Sequence, residues 1–239
     1  MRTAYCSNCK DNTRFYTDYG EGKTWLRYCT ECENDINYNY KLCILAAGRG
    51  TRSKDVDGLH KALLPIENKP VISHIIDKFD SSVDIVIATG YKSEQIKTYI
   101  NETYSEERNI TYVDVDNYDG PNSGPGYSLL CCKEELQCPF IYTAVDTIVD
   151  IFDEDILSFV NENWIGVSKV SVEESVNYCL VKGNKYLDDL YYGKGNQAYV
   201  GLAAIAEYEN FWHGLENQYN YKEHFDILHE YQVDNGFRG

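Results

Sequence analysis

At 239 residues and 43% apolar content, the chain can hold one sizeable core plus a small module. Its 22 Lys and Arg stand against 38 Asp and Glu, and the net charge of -16 argues against broad contact with nucleic acid or an anionic membrane. No charged leader with an apolar core appears, and no apolar stretch approaches ~20 residues, so a cytoplasmic protein without a membrane span is expected.

Residues 1–38 read as a zinc ribbon. Cys6-x-x-Cys9 and Cys29-x-x-Cys32 are two knuckles separated by 19 residues, the layout of a four-thiolate tetrahedral Zn²⁺ site. The segment is rich in Tyr, Thr and Asn and has too little apolar mass to fold otherwise, so the metal would supply the folding energy. The plain alternative is two accidental pairs or a disulfide-linked hairpin. Its five basic side chains against six acidic ones form no basic face, which suits protein docking or bracing of the main domain better than nucleic acid. Gly20-Glu-Gly-Lys-Thr24 is similar to the end of a phosphate loop, but Thr17 stands where the first glycine is needed. Cys43, Cys131, Cys132, Cys138 and Cys179 lie in apolar or helical contexts and read as core thiols.

The polar run Glu33 to Tyr40 reads as a linker, and a second domain follows over residues 39–239. Leu42, Ile44, Leu45, Ala46 and Ala47 form an apolar run of the kind buried in a parallel sheet. Gly48, Arg49, Gly50, Thr51 and Arg52 then make a glycine-rich basic turn, where backbone amides can approach an anion without an intervening Cβ. Lys61 follows inside His-Lys-Ala-Leu-Leu-Pro-Ile. Further on, helices are expected at Val71 to Phe79, Ser93 to Asn101 and Tyr127 to Leu136. Strands are expected at Asp84 to Thr89, Ile110 to Val115 and Pro139 to Ala144. Later strands are read at Trp164 to Val170, Asn177 to Lys182 and Ala198 to Ala206, and helices at Tyr208 to Glu216 and Lys222 to His229. This alternation is that of a doubly wound, Rossmann-like α/β fold, in which ligands sit outside the carboxyl ends of the strands. Three motifs map there: the glycine turn, Thr89-Gly90-Tyr91, and Asp146 at the end of an apolar strand. An acid in that last place is expensive without a cation, so Mg²⁺ ligation is its natural explanation and a helix cap the alternative.

The string Leu-Ala-Ala-Gly-x-Gly-Thr-Arg from Leu45, followed by Lys61-x-Leu-Leu-Pro-Ile and then Lys69-Pro-Val-Ile, resembles the signature of the nucleoside triphosphate transferases. That family includes sugar-1-phosphate nucleotidyltransferases and phosphocholine cytidylyltransferases. The resemblance implies a three-layer mixed sheet of the nucleotidyltransferase or GT-A type, with Leu45 to Thr51, Gly90 and Tyr91 around the nucleotide. It implies that the segment holding Asn122, Ser123, Gly124 and Gly126 reads the base. Lys194 is the best match to the lysine that meets the acceptor phosphate. His60 stands where sugar transferases carry proline, and a His-Lys pair there is similar to some phosphocholine-type enzymes.

The expected reaction is in-line attack of an acceptor phosphate on the α-phosphorus of an NTP, with CTP or UTP favoured and pyrophosphate leaving. Arg52 and Lys61 would hold the triphosphate, and Asp146 the catalytic Mg²⁺; the acceptor is a small phosphorylated molecule such as a sugar-1-phosphate or phosphocholine. The family's Trp-x-Asp-x-Gly strand, which usually completes the metal site, does not follow Phe237. The chain is therefore expected to be a fragment of a longer protein, with room for a further catalytic domain or for homo-oligomers. Two other classes remain open: a nucleotide-sensing or protein-binding regulatory module whose ribbon docks a partner, and a glycosyltransferase. The last would favour Asp-x-Asp where this chain has Ala144-Val145-Asp146.

Overall fold

The computed structural model describes residues 3–6, 11–19, 25–29, 31, 40–50, 58–104, 107–149, 160, 162–183 and 186–219. At the amino-terminal end, β1 (Thr3–Cys6), β2 (Asp11–Tyr19) and β3 (Trp25–Cys29) form an antiparallel sheet in that order. Cys6 is opposite Asp11 and Cys29 is opposite Phe15. Both outer strands therefore run toward the amino-terminal end of β2, β1 finishing beside its first residue and β3 beside its middle. The linker from Glu33 to residue 39, Cys9, Cys32 and the expected helix Lys222 to His229 lie outside the described residues.

The main sheet is built on β4 (Lys41–Ala46), which runs parallel to β7 (Asp84–Thr89) on one side and β9 (Phe140–Ala144) on the other; β8 (Ile110–Asp114) extends the parallel part beyond β7. A short ribbon of β5 (Pro65–Ile66) and β6 (Lys69–Pro70) lies between β4 and the first helix. The antiparallel half comprises β10 (Trp164–Lys169), β11 (Leu180–Gly183), β12 (Leu187–Tyr191) and β13 (Gln197–Ile205), and β13 joins it to β9.

Alternation along the central strands sorts side chains onto two faces. Leu42, Ile44, Ala46, Ile85 and Ile87 pack with Ile72, Ile75 and Ile76 of α1 (Val71–Ile76) and with Ile96 and Ile100 of α2 (Ser93–Tyr104). Cys43, Ala47, Val86 and Ala88 pack on the other face with Leu129 of α3 (Pro125–Cys131) and Trp212 of α4, the helix over residues 208–219. Two helical layers thus enclose a mixed sheet, as expected. Phe140 binds the second layer, its ring stacked on Trp212 with centroids 5.3 Å apart while the indole N–H donates to the Leu136 carbonyl.

The differences from the sequence expectations are local. The helix expected to end at Leu136 stops at Cys131 and continues as a 3₁₀ turn over Lys133–Glu135, and it starts at Pro125, whose fixed φ suits the first helical position. The strand expected from Asn177 begins at Leu180, after a 3₁₀ turn at Ser175–Asn177. No strand was expected at Leu187–Tyr191, because Asp188 and Asp189 obscure it; it pairs with β11 as a mostly exposed hairpin arm. Cys43 and Cys132 are buried and Cys131, Cys138 and Cys179 half-buried, consistent with core thiols.

Candidate active site

Because β4, β7 and β9 are parallel and in register, with Ala46 beside Thr89 and Leu45 beside Ala144, their carboxyl ends open onto one place. The chain leaving each strand is tied to its neighbour. The Tyr91 N–H donates to the Ala47 carbonyl at 2.9 Å, and the Val145 N–H to the Leu45 carbonyl at 3.2 Å. Gly90 is required by this closeness, since a Cβ there would lie 2.9 Å from the Ala47 oxygen and 2.8 Å from the Tyr118 ring.

Of the glycine turn, Leu45 to Gly50 are described, while Thr51 and Arg52 lie outside the described residues. Ala46 and Ala47 are buried, Arg49 is half-exposed, and Gly50 has φ of +65°, a conformation glycine adopts without penalty. The Arg49 guanidinium reaches the Asp119 carboxylate at 3.0 Å and lies 5.2 Å from the centre of the Tyr91 ring; the Lys92 ammonium lies 4.9 Å from the same centre.

Lys61 opens a 3₁₀ turn, Lys61–Leu63, capped by His60, whose Nδ1 accepts from the Ala62 N–H at 3.1 Å. From there the Lys61 ammonium reaches Asp146 Oδ2 at 3.0 Å. The side chains are 19% and 63% exposed, so the lysine is fixed against the fold while the carboxylate faces the open space. The two residues singled out for phosphate and metal, 85 positions apart, are thus brought into contact.

The segment between β8 and α3 folds back on itself. Ser123 donates to the Gly120 carbonyl from both its N–H, at 3.2 Å, and its Oγ, at 2.8 Å, while Asn117 Nδ2 donates to the Pro121 carbonyl at 2.9 Å. Asn122 takes a left-handed φ of +62°. Asn122, Ser123 and Gly124 are half-buried in this braced turn, which Asp119 ties to the glycine turn through Arg49. Gly126 sits apart inside α3, where a Cβ would come 2.9 Å from the Tyr219 hydroxyl; its smallness is used by helix packing.

Beside Asp146 a cleft of about 1310 Å³ extends across the antiparallel half of the sheet, walled by Thr147, Trp164, Ser168, Lys169 and Tyr199. One wall bends at Gly201, whose φ of +77° brings its backbone toward Ala144, and Thr147 Oγ1 fixes the bend by donating to the Val200 carbonyl at 2.5 Å. Lys194 lies on an exposed bend and is not part of that wall; the cation that is, Lys169, was not singled out from the sequence. Its only signal was its place at the end of a strand bordering the acceptor side. Asp119 was also missed, because its relevance comes from Arg49, a partner distant in sequence, and Lys92 was missed because its Tyr91 ring contact has no sequence signature.

Among the described residues no group of three or more His, Cys, Asp or Glu converges. The site still suits Mg²⁺, which is commonly held by one or two carboxylates with phosphate and water oxygens completing the shell; Asp146, largely exposed beside the cleft, is the carboxylate that would hold it. Of the four cysteines expected from the sequence to bind Zn²⁺, Cys6 and Cys29 close β1 and β3, and Cys9 and Cys32 lie outside the described residues.

Residues 42–160 match the model of the MobA-like NTP transferase domain. This segment belongs to the nucleotidyltransferase family. The matched domain takes in the glycine turn, Lys61, Tyr91, the braced turn and Asp146. Over 135 residues the chain is 33% identical to the bifunctional protein GlmU of Methanococcus vannielii, covering 55% of this chain and 30% of that protein. Against the bifunctional protein GlmU of Enterococcus faecalis it is 41% identical over 66 residues, covering 27% and 14%. The chain thus spans about 30% of the length of the first of these curated relatives, and less of the second. A UDP-glucose pyrophosphorylase complexed with UDP-glucose superimposes with a TM-score of 0.61 at 18% identity, covering 74% of this chain and 79% of that one. The UDP-glucose pyrophosphorylase from Acinetobacter baumanii does so at 0.54 and 16%, covering 70% and 74%. At such identities the structures establish that the nucleotidyltransferase domain and its antiparallel extension share one fold. Among the described residues no helix is long and apolar enough to cross a membrane.

Proposed function

We propose that the chain transfers a nucleotidyl group from an NTP to a small phosphorylated acceptor, a sugar-1-phosphate before a phosphocholine-like molecule. The observation that carries this reading is the Lys61–Asp146 pair at the carboxyl ends of the parallel strands, between the glycine turn and the large cleft. An acceptor phosphate oxygen attacks the α-phosphorus, the bond from that phosphorus to the bridging oxygen breaks, and pyrophosphate departs; no protein nucleophile is needed. The protein's part is positioning and charge neutralisation. Backbone N–H groups of the glycine turn and Arg49 face the phosphates, Lys61 moves from Asp146 to a phosphate oxygen, and Arg52 adds charge from the same turn. Asp146 would hold Mg²⁺, which when bound neutralises phosphate charge. The braced turn at Asn122 to Gly124 faces the base, and the cleft receives the acceptor, with Lys169 rather than Lys194 as the cation lining it.

The similarity to UDP-glucose pyrophosphorylases supports a sugar phosphate as acceptor and UTP as the first donor to test. The test is pyrophosphate release from each NTP with sugar-1-phosphates and phosphocholine, with and without Mg²⁺. Release from one pair is expected. Tight nucleotide binding with no release from any pair would instead make the chain a nucleotide sensor.

The amino-terminal sheet is read as a Zn²⁺ module. In support, β1 and β3 run in the same direction, and Cys6 and Cys29 are their last residues. Metal analysis of purified protein should give one zinc per chain, and a clearly lower content would remove this reading.

A further inference from the structure

His60 is 1% exposed, and its ring Nε2 is buried with no hydrogen-bond partner. Its surroundings fix it firmly. Its backbone N–H donates to Gln95 Oε1 at 2.8 Å, Gln95 Nε2 in turn donates to the Gly58 carbonyl at 3.1 Å, and the ring leans toward Tyr91 with centroids 6.3 Å apart. Since Nδ1 accepts the Ala62 N–H, a neutral ring must carry its proton on Nε2. Burial, aided by the charges of Lys61 and Lys92, pushes the ring toward that neutral form, with a pKa of about 4; the Gly48 backbone already lies near enough to oppose this as a hydrogen-bonding neighbour, yet Nε2 makes no hydrogen bond of proper geometry to it. A donor is therefore held in the interior beneath the glycine turn, and leaving such a donor unmatched is unfavourable.

We propose that His60 is a positioning residue for the glycine turn: its Nε2–H takes the Gly48 carbonyl as acceptor when nucleotide binds, and so sets the direction of the Gly48–Arg49 peptide. In a trans peptide the carbonyl and the following N–H point opposite ways. Drawing the Gly48 carbonyl down onto His60 turns the Arg49 N–H outward, toward a bound phosphate. The side-chain face of Gly48 is open, since an added Cβ there would meet nothing within 4 Å. The unpartnered Nε2–H and the nearby Gly48 backbone then form two halves of one contact, completed when the ligand binds. This inference rests on the reading that the glycine turn binds a nucleotide.

The test is nitrogen-15 NMR of the full chain with labelled histidine, titrated with UTP or CTP and Mg²⁺, following the His60 Nε2–H and the Gly48 and Arg49 amides together. The Nε2–H resonance should move downfield and exchange more slowly as the two amides shift. Amides that shift while Nε2–H stays unchanged would overturn the inference and leave nucleotide binding intact. If no NTP shifts the amides, the nucleotide reading fails and this inference with it. Two variants separate positioning from capping. His60→Asn keeps an acceptor for the Ala62 N–H but loses the distal donor, whereas His60→Gln presents an amide N–H near the place of Nε2. KM for the NTP should rise roughly three- to tenfold in His60→Asn and return toward the parent value in His60→Gln. The opposite order would show that His60 only caps the turn.

Discussion

The Lys61 ammonium and the Asp146 carboxylate, 3.0 Å apart, neutralise each other at the place where the proposed reaction needs one on phosphate and the other on a metal. With Asp146 63% exposed, the pair contributes less than about 1 kcal/mol to stability, so the contact opens readily. Lys61→Ala and Asp146→Asn should each lower kcat on the order of 10²- to 10³-fold, as loss of a charged group aimed at the transition state does, while Tm stays close to the parent value. The two should part company in NTP binding without Mg²⁺. Asp146→Asn frees the lysine and should bind as tightly as the parent or more so; Lys61→Ala should bind more weakly. Calorimetry in chelator makes this comparison, and equal weakening by both would rule out the exchange of partners.

Arg49 and Asp119 join the glycine turn to the turn before α3 across 3.0 Å, with both side chains near half-exposed. Asp119→Asn should therefore leave folding stability within about 1 kcal/mol of the parent. It should raise the KM for NTP severalfold, because the two turns would have to be ordered by the ligand alone, at a cost in conformational entropy. The effect should shrink as salt screens the parent's pair. An unchanged KM at low salt would show that the two turns act independently.

What was legible in the sequence was whatever repeats a local rule. Buried parallel strands announce themselves as apolar runs, so Asp84–Thr89 was bounded correctly, and the glycine turn, Lys61 and Asp146 could be named because each abuts such a run. The hairpin arm Leu187–Tyr191 was lost because Asp188 and Asp189 put a carboxylate on each of its faces and it buries almost nothing. Gly126 shows the opposite failure: it belonged to a turn-like string, but its neighbour is Tyr219, 93 positions away. Asp119 and Lys169 acquire their roles from Arg49 and from the shape of the cleft, neither of which a local pattern encodes.

Gly90 gives a packing prediction separate from catalysis. In Gly90→Ala the new methyl would press on the Ala47 carbonyl, a backbone atom of the glycine turn that cannot rotate away, and on Tyr118. Overpacking of this kind typically destabilises by about 1–3 kcal/mol. Denaturant unfolding should show that loss, and the displacement of Ala47 should also weaken NTP binding. Unchanged stability would mean that Tyr118 and the turn both yield freely.

The neutral His60 sets a pH window for stability. Its pKa in the folded chain is about 4, below the ordinary value of 6.5, because burial disfavours the charged ring. Between these values the unfolded chain binds a proton that the folded chain refuses, so stability is full above about 6.5 and falls as pH drops toward about 4. Asp80 and Asp114 are held below the usual carboxylate value, chiefly by hydrogen bonds from Ser82 and from Lys97, so their losses come at lower pH. The histidine loss should be on the order of 1–2 kcal/mol once water's access to the neighbouring turn is allowed for. Urea midpoints at pH 7 and pH 5 should differ accordingly in the parent, and by clearly less in His60→Asn, which has no group to protonate there. A parent whose stability is the same at both pH values would mean that the ring already shares its proton with water in the folded chain.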